Sequence, residues 1–112
     1  MAGKFEIKRS KDEQFYFHLK AGNGEKILAS ELYKAKASAE KGIESVKKNA
    51  PDDARYDRRE GKGGQHHFVL KAGNGEIIGT SERYTTTSAM EKGIDSVKAN
   101  APGAAVVDLS AG

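Results

Sequence analysis

The chain has no cysteine, so a disulfide framework, a thiolate metal site and a cysteine nucleophile are all excluded. It lacks any run of about 18 apolar residues that could span a bilayer. Its start, Met1-Ala-Gly-Lys-Phe5, lacks the apolar segment of a secretory leader. A reducing cytoplasm is the simplest compartment for such a chain. Charge of one sign is scarce as well. Intermixed along the chain, 19 basic and 16 acidic residues leave a formal +3, which reads as an ordinary soluble surface and not a nucleic-acid footprint. There is no Gly-x-Ser-x-Gly elbow, Walker loop or dinucleotide fingerprint.

What the chain does have, it has twice. Phe17-His-Leu-Lys-Ala-Gly-Asn-Gly-Glu25 returns as Phe68-Val-Leu-Lys-Ala-Gly-Asn-Gly-Glu76, an offset of 51. The same offset carries Ser30-Glu31-Leu-Tyr33 onto Ser81-Glu82-Arg-Tyr84, and Gly42-Ile-Glu-Ser-Val-Lys-Lys-Asn-Ala-Pro51 onto Gly93-Ile-Asp-Ser-Val-Lys-Ala-Asn-Ala-Pro102. A unit of about 50 residues makes a marginal core alone. The two copies, 1–53 and 54–112, are therefore expected to share one core in a single domain spanning residues 1–112.

Within each copy the period changes once. Lys4–Lys8 alternates, with Phe5 and Ile7 inward; Phe15, Phe17 and Leu19 oppose Tyr16, His18 and Lys20. Gly22-Asn-Gly24 predicts a hairpin, followed by a returning strand over residues 26–30 with Ile27 buried. Beyond Tyr33, Ala39, Ile43, Val46 and Ala50 form a helical stripe that ends at Pro51. The second copy repeats this with Tyr56, Phe68, Leu70, Ile77 and Ile78, then Met90, Ile94, Val97 and Ala101. Thr85–Ser88 supplies capping hydroxyls, with Ser88 and Glu91 at capping-box spacing; Ala35 and Ala37 leave the first helix start less specified. Glycine at 42 and 93, inside both helices, implies a close approach to the sheet. Val106–Ser110 matches Lys4–Lys8 and Arg55–Arg59 at the same offset, giving three copies of the first strand and a β3-α-β unit used twice, with the middle copy shared.

The Phe-x-Leu-Lys-Ala-x-Asn-Gly-Glu hairpin, the Ser-Glu-x-Tyr segment and the Gly-Ile-x-Ser-Val-Lys-x-Asn-Ala-Pro helix end resemble the YegP-like family, a bacterial domain of unknown function. The resemblance covers nearly the whole chain. It implies an α+β fold of two β3-α-β repeats in one antiparallel sheet, with both helices on one face. It further implies pseudo-twofold symmetry and C-terminal strands exchanged between repeats. It implies no catalytic residue and no ligand.

Candidate sites remain few. Arg55, Arg58, Arg59 and Lys62 form the densest basic segment, and Arg58 breaks the apolar pattern held by Ile7 and Leu109. With Tyr16, Lys20 and Tyr56 they make a candidate contact for single-stranded nucleic acid, since guanidinium binds phosphate and rings stack on bases. Ser30, Glu31 and Tyr33, repeated as Ser81, Glu82 and Tyr84, form a candidate polar pocket for ligand binding or acid–base chemistry. His66 and His67 point to opposite faces of a strand and make a poor chelate, so no metal or other cofactor is expected. The reading favoured is a small binding or interaction protein without catalysis of its own. The sequence names no partner: a protein would suit this reading, a weak single-stranded nucleic-acid binder is the runner-up, no membrane contact is expected, and internal symmetry suits a monomer.

Overall fold

The computed structural model describes residues 3–110. Seven strands form one sheet: β1 (Lys4–Arg9), β2 (Phe15–Lys20), β3 (Lys26–Ala29), β4 (Tyr56–Glu60), β5 (His66–Lys71), β6 (Ile77–Thr80) and β7 (Ala105–Asp108). Two helices, α1 (Lys36–Asn49) and α2 (Thr87–Asn100), complete an α+β architecture. Among the described residues, no helix is long and apolar enough to cross a membrane.

The strand order is β4-β5-β6-β3-β2-β1-β7. Each copy contributes an antiparallel meander, and β3 meets β6 at the centre through Ala29 and Thr80. One expectation needs correction. The sheet is mixed, because β7 lies parallel to β1, with Phe5 opposite Val106 and Ile7 opposite Asp108. The connection through α2 carries the chain from β6 near the centre to the far edge, where β7 runs opposite to β6 and therefore in the same direction as β1. The middle strand copy, β4, follows α1 in the chain, opens the second meander by pairing with β5, and forms the opposite edge of the sheet.

The core lies between sheet and helices. Phe5, Phe17, Leu19, Leu28, Phe68 and Leu70 are fully buried against Ile43, Val46, Ile94 and Val97. Both helices press on this one face, α1 over Phe17 and α2 over Phe68, through the repeated glycines. A Cβ built on Gly42 would stand 2.6 Å from the Tyr33 hydroxyl and 3.0 Å from Phe17, and Gly93 meets Tyr84 and Phe68 in the same way. The other sheet face has no helix among the described residues.

The conserved-looking repeat motifs are explained locally. In each hairpin Asn23 or Asn74 accepts a hydrogen bond from the backbone two residues on, and Gly24 and Gly75 take φ near 88°. At the helix ends, Asn49 and Asn100 donate to the carbonyls of Ser45 and Ser96 at 2.8 Å. Helix starts differ between copies. Ala35 caps α1 with no side-chain bond, whereas Thr86 caps α2 by accepting from the Ala89 amide at 3.0 Å. The Ser88–Glu91 capping box does not form. Ser88 already lies inside the helix, and Glu91 is drawn to Arg58 instead.

Candidate functional site

Alternation in β1 and β2 divides their residues cleanly. Phe5, Ile7, Phe17 and Leu19 go to the core, and Lys4, Glu6, Lys8, Tyr16, His18 and Lys20 go to the helix-free face. Register then sets the neighbours: Lys4 opposes Lys20, Glu6 opposes His18, and Lys8 opposes Tyr16. On β3, Lys26 opposes Lys20. The result is a cluster of cations around one carboxylate.

That carboxylate is Glu6, whose side chain keeps only 7% of its exposure. Lysine stems cover it while their ammonium groups reach solvent. Lys20 Nζ stands 2.9 Å from it, Lys4 3.4 Å and Lys8 3.9 Å. Oε1 accepts no well-aligned hydrogen bond, so charge more than directional bonding holds the group. Lys20, then Lys4, keep its carboxyl below the usual range, against the opposing effect of burial. Lys26 turns to Glu82 at 3.2 Å. His18 sits among these lysines. Burial, followed by the charges of Lys26 and Lys8, pushes its ring down to about 4, so it is neutral at pH 7. Its ring lies 5.2 Å from that of Tyr16, tilted by 60°.

The second copy builds its helix-free face differently. Asp57 there pairs with Arg59 at 3.0 Å and Lys71 at 3.5 Å. Val69 takes the place of His18, His67 that of Tyr16, and Ile77 that of Lys26. The ring pair and the third lysine of the row belong to the first copy alone.

The basic residues singled out from sequence do not form one surface. Tyr16 and Lys20 lie on β2 and Arg59 on β4, four strand spacings or about 19 Å away on the same face. Arg58 and Tyr56 point to the opposite, helix-covered side. Tyr56 is 6% exposed, packs edge-on to Phe68 and donates its hydroxyl to the Ala50 carbonyl at 2.8 Å. Burial raises its hydroxyl pKa, so it stays protonated. Arg58 is bound by Glu91 at 2.5 Å and Asp53 at 3.1 Å, with Lys98 sharing Asp53. Glu91, before Asp53, raises the Arg58 pKa further. Arg58 breaks the apolar pattern because β4 is a sheet edge: among the described residues no strand lies beyond it, and the guanidinium reaches Glu91 on α2. Arg55 lies 3.5 Å from Asp52, and Lys62 projects from the short turn Lys62–Gly64. Beside Arg58, a groove of about 290 Å³ is lined by Glu60, His66, Thr87, Met90 and Glu91.

The repeated polar segments turn out to be joints. Ser30 Oγ accepts from the Phe17 amide and donates to the Glu31 carbonyl, both at 2.8 Å. Ser81 does the same with Phe68 and Glu82. Each serine marks where its strand leaves the sheet, and Tyr33 and Tyr84 return to pair with Phe15 and His66. Both tyrosines stack on the core phenylalanines, and burial, then nearby carboxylates, raises their hydroxyl pKa. Glu31 and Glu82 are exposed. Among the described residues no three His, Asp or Glu side chains converge as metal ligands; His66 reaches Glu60 only at 4.0 Å.

Sequence reasoning singled out Tyr16 and Lys20 and missed Lys4, Glu6, Lys8, His18 and Lys26. The polar phase of β1 was the available signal, but only the hairpin register brings it beside β2.

Fold and face together define a small α+β protein with one side of its sheet covered by helices and the other open and rich in cations. The chain belongs to the family described as Domain of unknown function (DUF1508), whose model matches it twice, over residues 10–57 and 62–108. Each match begins ahead of the second strand of a meander and reaches the next copy of the first strand, leaving β1 outside. The YegP-like resemblance of the motifs holds. The chain is 54% identical over 108 residues to UPF0339 protein YegP of Escherichia coli K12, covering 96% of this chain and 98% of that one. It is 56% identical over 110 residues to UPF0339 protein ACIAD0721 of Acinetobacter baylyi, covering 98% and 99%. Two solution NMR structures are similar throughout. One is yegP from E. coli, described as a protein of unknown function, with a TM-score of 0.94, 52% identity and coverage of 100% and 97%. The other is UPF0339 protein SO3888 from Shewanella oneidensis, with a TM-score of 0.93, 48% identity and coverage of 98% and 93%. These relatives indicate no specific function.

Proposed function

We propose that this chain is a non-catalytic binding protein that uses the helix-free face of its sheet to hold an anionic ligand. The observation that carries the reading is the lysine cluster of the first copy. Four ammonium groups, from Lys4, Lys8, Lys20 and Lys26, share two carboxylates, Glu6 and Glu82, on a face no helix covers. The antiparallel meander β1-β2-β3, packed on one side, leaves its other side available in this way.

The test is binding of dextran sulfate at physiological salt. Lys4→Glu and Lys26→Glu should each weaken it several-fold, and charge reversal at the exposed α1 residues Lys41 and Lys48 should not. Equal losses from both sets would refute the reading.

The alternative, an enzyme working with Glu31 and Tyr33 or with Glu82 and Tyr84, has less support. Its serine hydroxyls are committed to backbone, and its tyrosines are held protonated, which removes them as bases at neutral pH. The same reading takes residues 1–112 as one domain acting as a cytoplasmic monomer. Its repeats, 1–53 and 54–112, are related by a pseudo-twofold axis between β3 and β6. Each helix then sends its following strand to the outer edge of the other repeat; the antiparallel β3–β6 meeting and the seat of β7 against β1 support this exchange.

A further inference from the structure

A row of lysines crosses three strands of the open face. Lys4, Lys20 and Lys26 stand directly opposite one another on β1, β2 and β3. Like charges so placed destabilise a sheet, and Glu6 and Glu82 offset only part of that. Along β2 from this row come His18 and then Tyr16, about 7 and 13 Å away at strand spacing. Their rings are neighbours, half-exposed, and His18 is uncharged at neutral pH, so the pair offers π faces beside a strip of cations.

We propose that this face binds single-stranded nucleic acid, with phosphates along Lys4, Lys20 and Lys26 and bases stacked on His18 and Tyr16. The proposal rests on the anionic-ligand reading above and names its ligand class. Cations beside aromatic platforms on an exposed sheet are the physical requirement for holding unpaired bases. A duplex would engage the lysines alone and leave the rings unused. The asymmetry between copies points the same way. Turn, joint and helix-end residues are retained in both, whereas the ring pair and the full lysine row are present in one. The rings and lysines are therefore not needed to build the repeat.

The experiment is fluorescence anisotropy of the full chain at physiological salt, with labelled oligothymidylate, oligouridylate, an abasic oligomer of the same length and a duplex. Oligothymidylate or oligouridylate should bind about tenfold or more tighter than the abasic oligomer, the factor expected from one stacked base. Tyr16→Ala and His18→Ala should each remove most of that advantage. Lys26→Glu, at an exposed position, should weaken every oligomer, and Lys26→Ala should lower the salt slope by about 1. Abasic and base-bearing oligomers of equal affinity would overturn the nucleic-acid proposal and leave the anionic face standing. Failure of every oligomer to bind, or indifference to Lys26→Glu, would overturn both.

Discussion

Gly42 shows what a single hydrogen atom in place of a methyl can decide. Glycine costs a helix interior about 1 kcal/mol relative to alanine, so Gly42→Ala would stabilise α1 if space allowed. Space is not available: the new Cβ would lie 2.6 Å from the Tyr33 hydroxyl, and that ring is stacked on Phe17 and anchored by its own backbone pairing with Phe15. Gly42→Ala should therefore destabilise by about 1–3 kcal/mol in chemical denaturation. Adding Tyr33→Phe should recover part of the loss; equal losses in the single and double variants would disprove the contact. Helical spacing with glycine at 42 and 93 was enough to predict the close approach, but not that a tyrosine hydroxyl is what approaches.

His18 makes a second prediction at this scale. Its folded pKa, about 4, lies below the ordinary 6.5. Between those values the unfolded chain takes a proton that the folded chain refuses, so stability falls as pH drops from 6.5 towards 4. Glu6 adds to the loss as pH falls from its ordinary 4.5 through its lowered folded value, where protonation removes its attraction to Lys20 and Lys4. The His18 ring should titrate by NMR with a midpoint near 4, and His18→Gln should flatten the stability curve between pH 6.5 and 4. A midpoint near 6.5 would contradict the environment described.

At the scale of elements, the strands, both helices and the hairpins were legible, because periods of two and 3.6 and the Asn-Gly turns are local signals. Caps and edges were less so. Ser88 and Glu91 have capping-box spacing, yet Thr86 holds the cap, because Arg58 on β4 takes Glu91. Thr86→Ala should cost about 1 kcal/mol, while Ser88→Ala should cost nothing measurable; the reverse order would restore the capping box. The parallel pairing of β7 was hidden for a similar reason. Matching Val106–Ser110 to Lys4–Lys8 identifies a strand but not its neighbour, which depends on where α2 delivers it. The two edges also differ in chemistry. Arg58, Arg59 and Glu60 guard β4 with charge, as exposed edges usually require, and β7 presents the exposed Val106.

Across the whole molecule, the repeat makes two nearly equal halves, and the places where they differ are the informative ones. At the central junction Leu28 and Gly79 occupy corresponding positions, and a Cβ on Gly79 would meet Leu28 at 2.6 Å. The seam holds one large side chain, not two. Gly79→Leu should destabilise the protein, and combining it with Leu28→Gly should recover most of the loss if the halves are related by a twofold axis. Additive losses would count against that symmetry.

The other difference is the open face, where register gathers Lys4, Glu6, Lys8, His18, Lys20 and Lys26 from strands that look unremarkable one at a time. The direct test of that face is an amide NMR map of the full chain titrated with oligothymidylate at physiological salt. Shifts concentrated at Lys4–Lys8, Tyr16–Lys20 and Lys26 are predicted. Shifts confined to Arg55–Lys62 or to the two helices, or no shifts at all, would contradict the account.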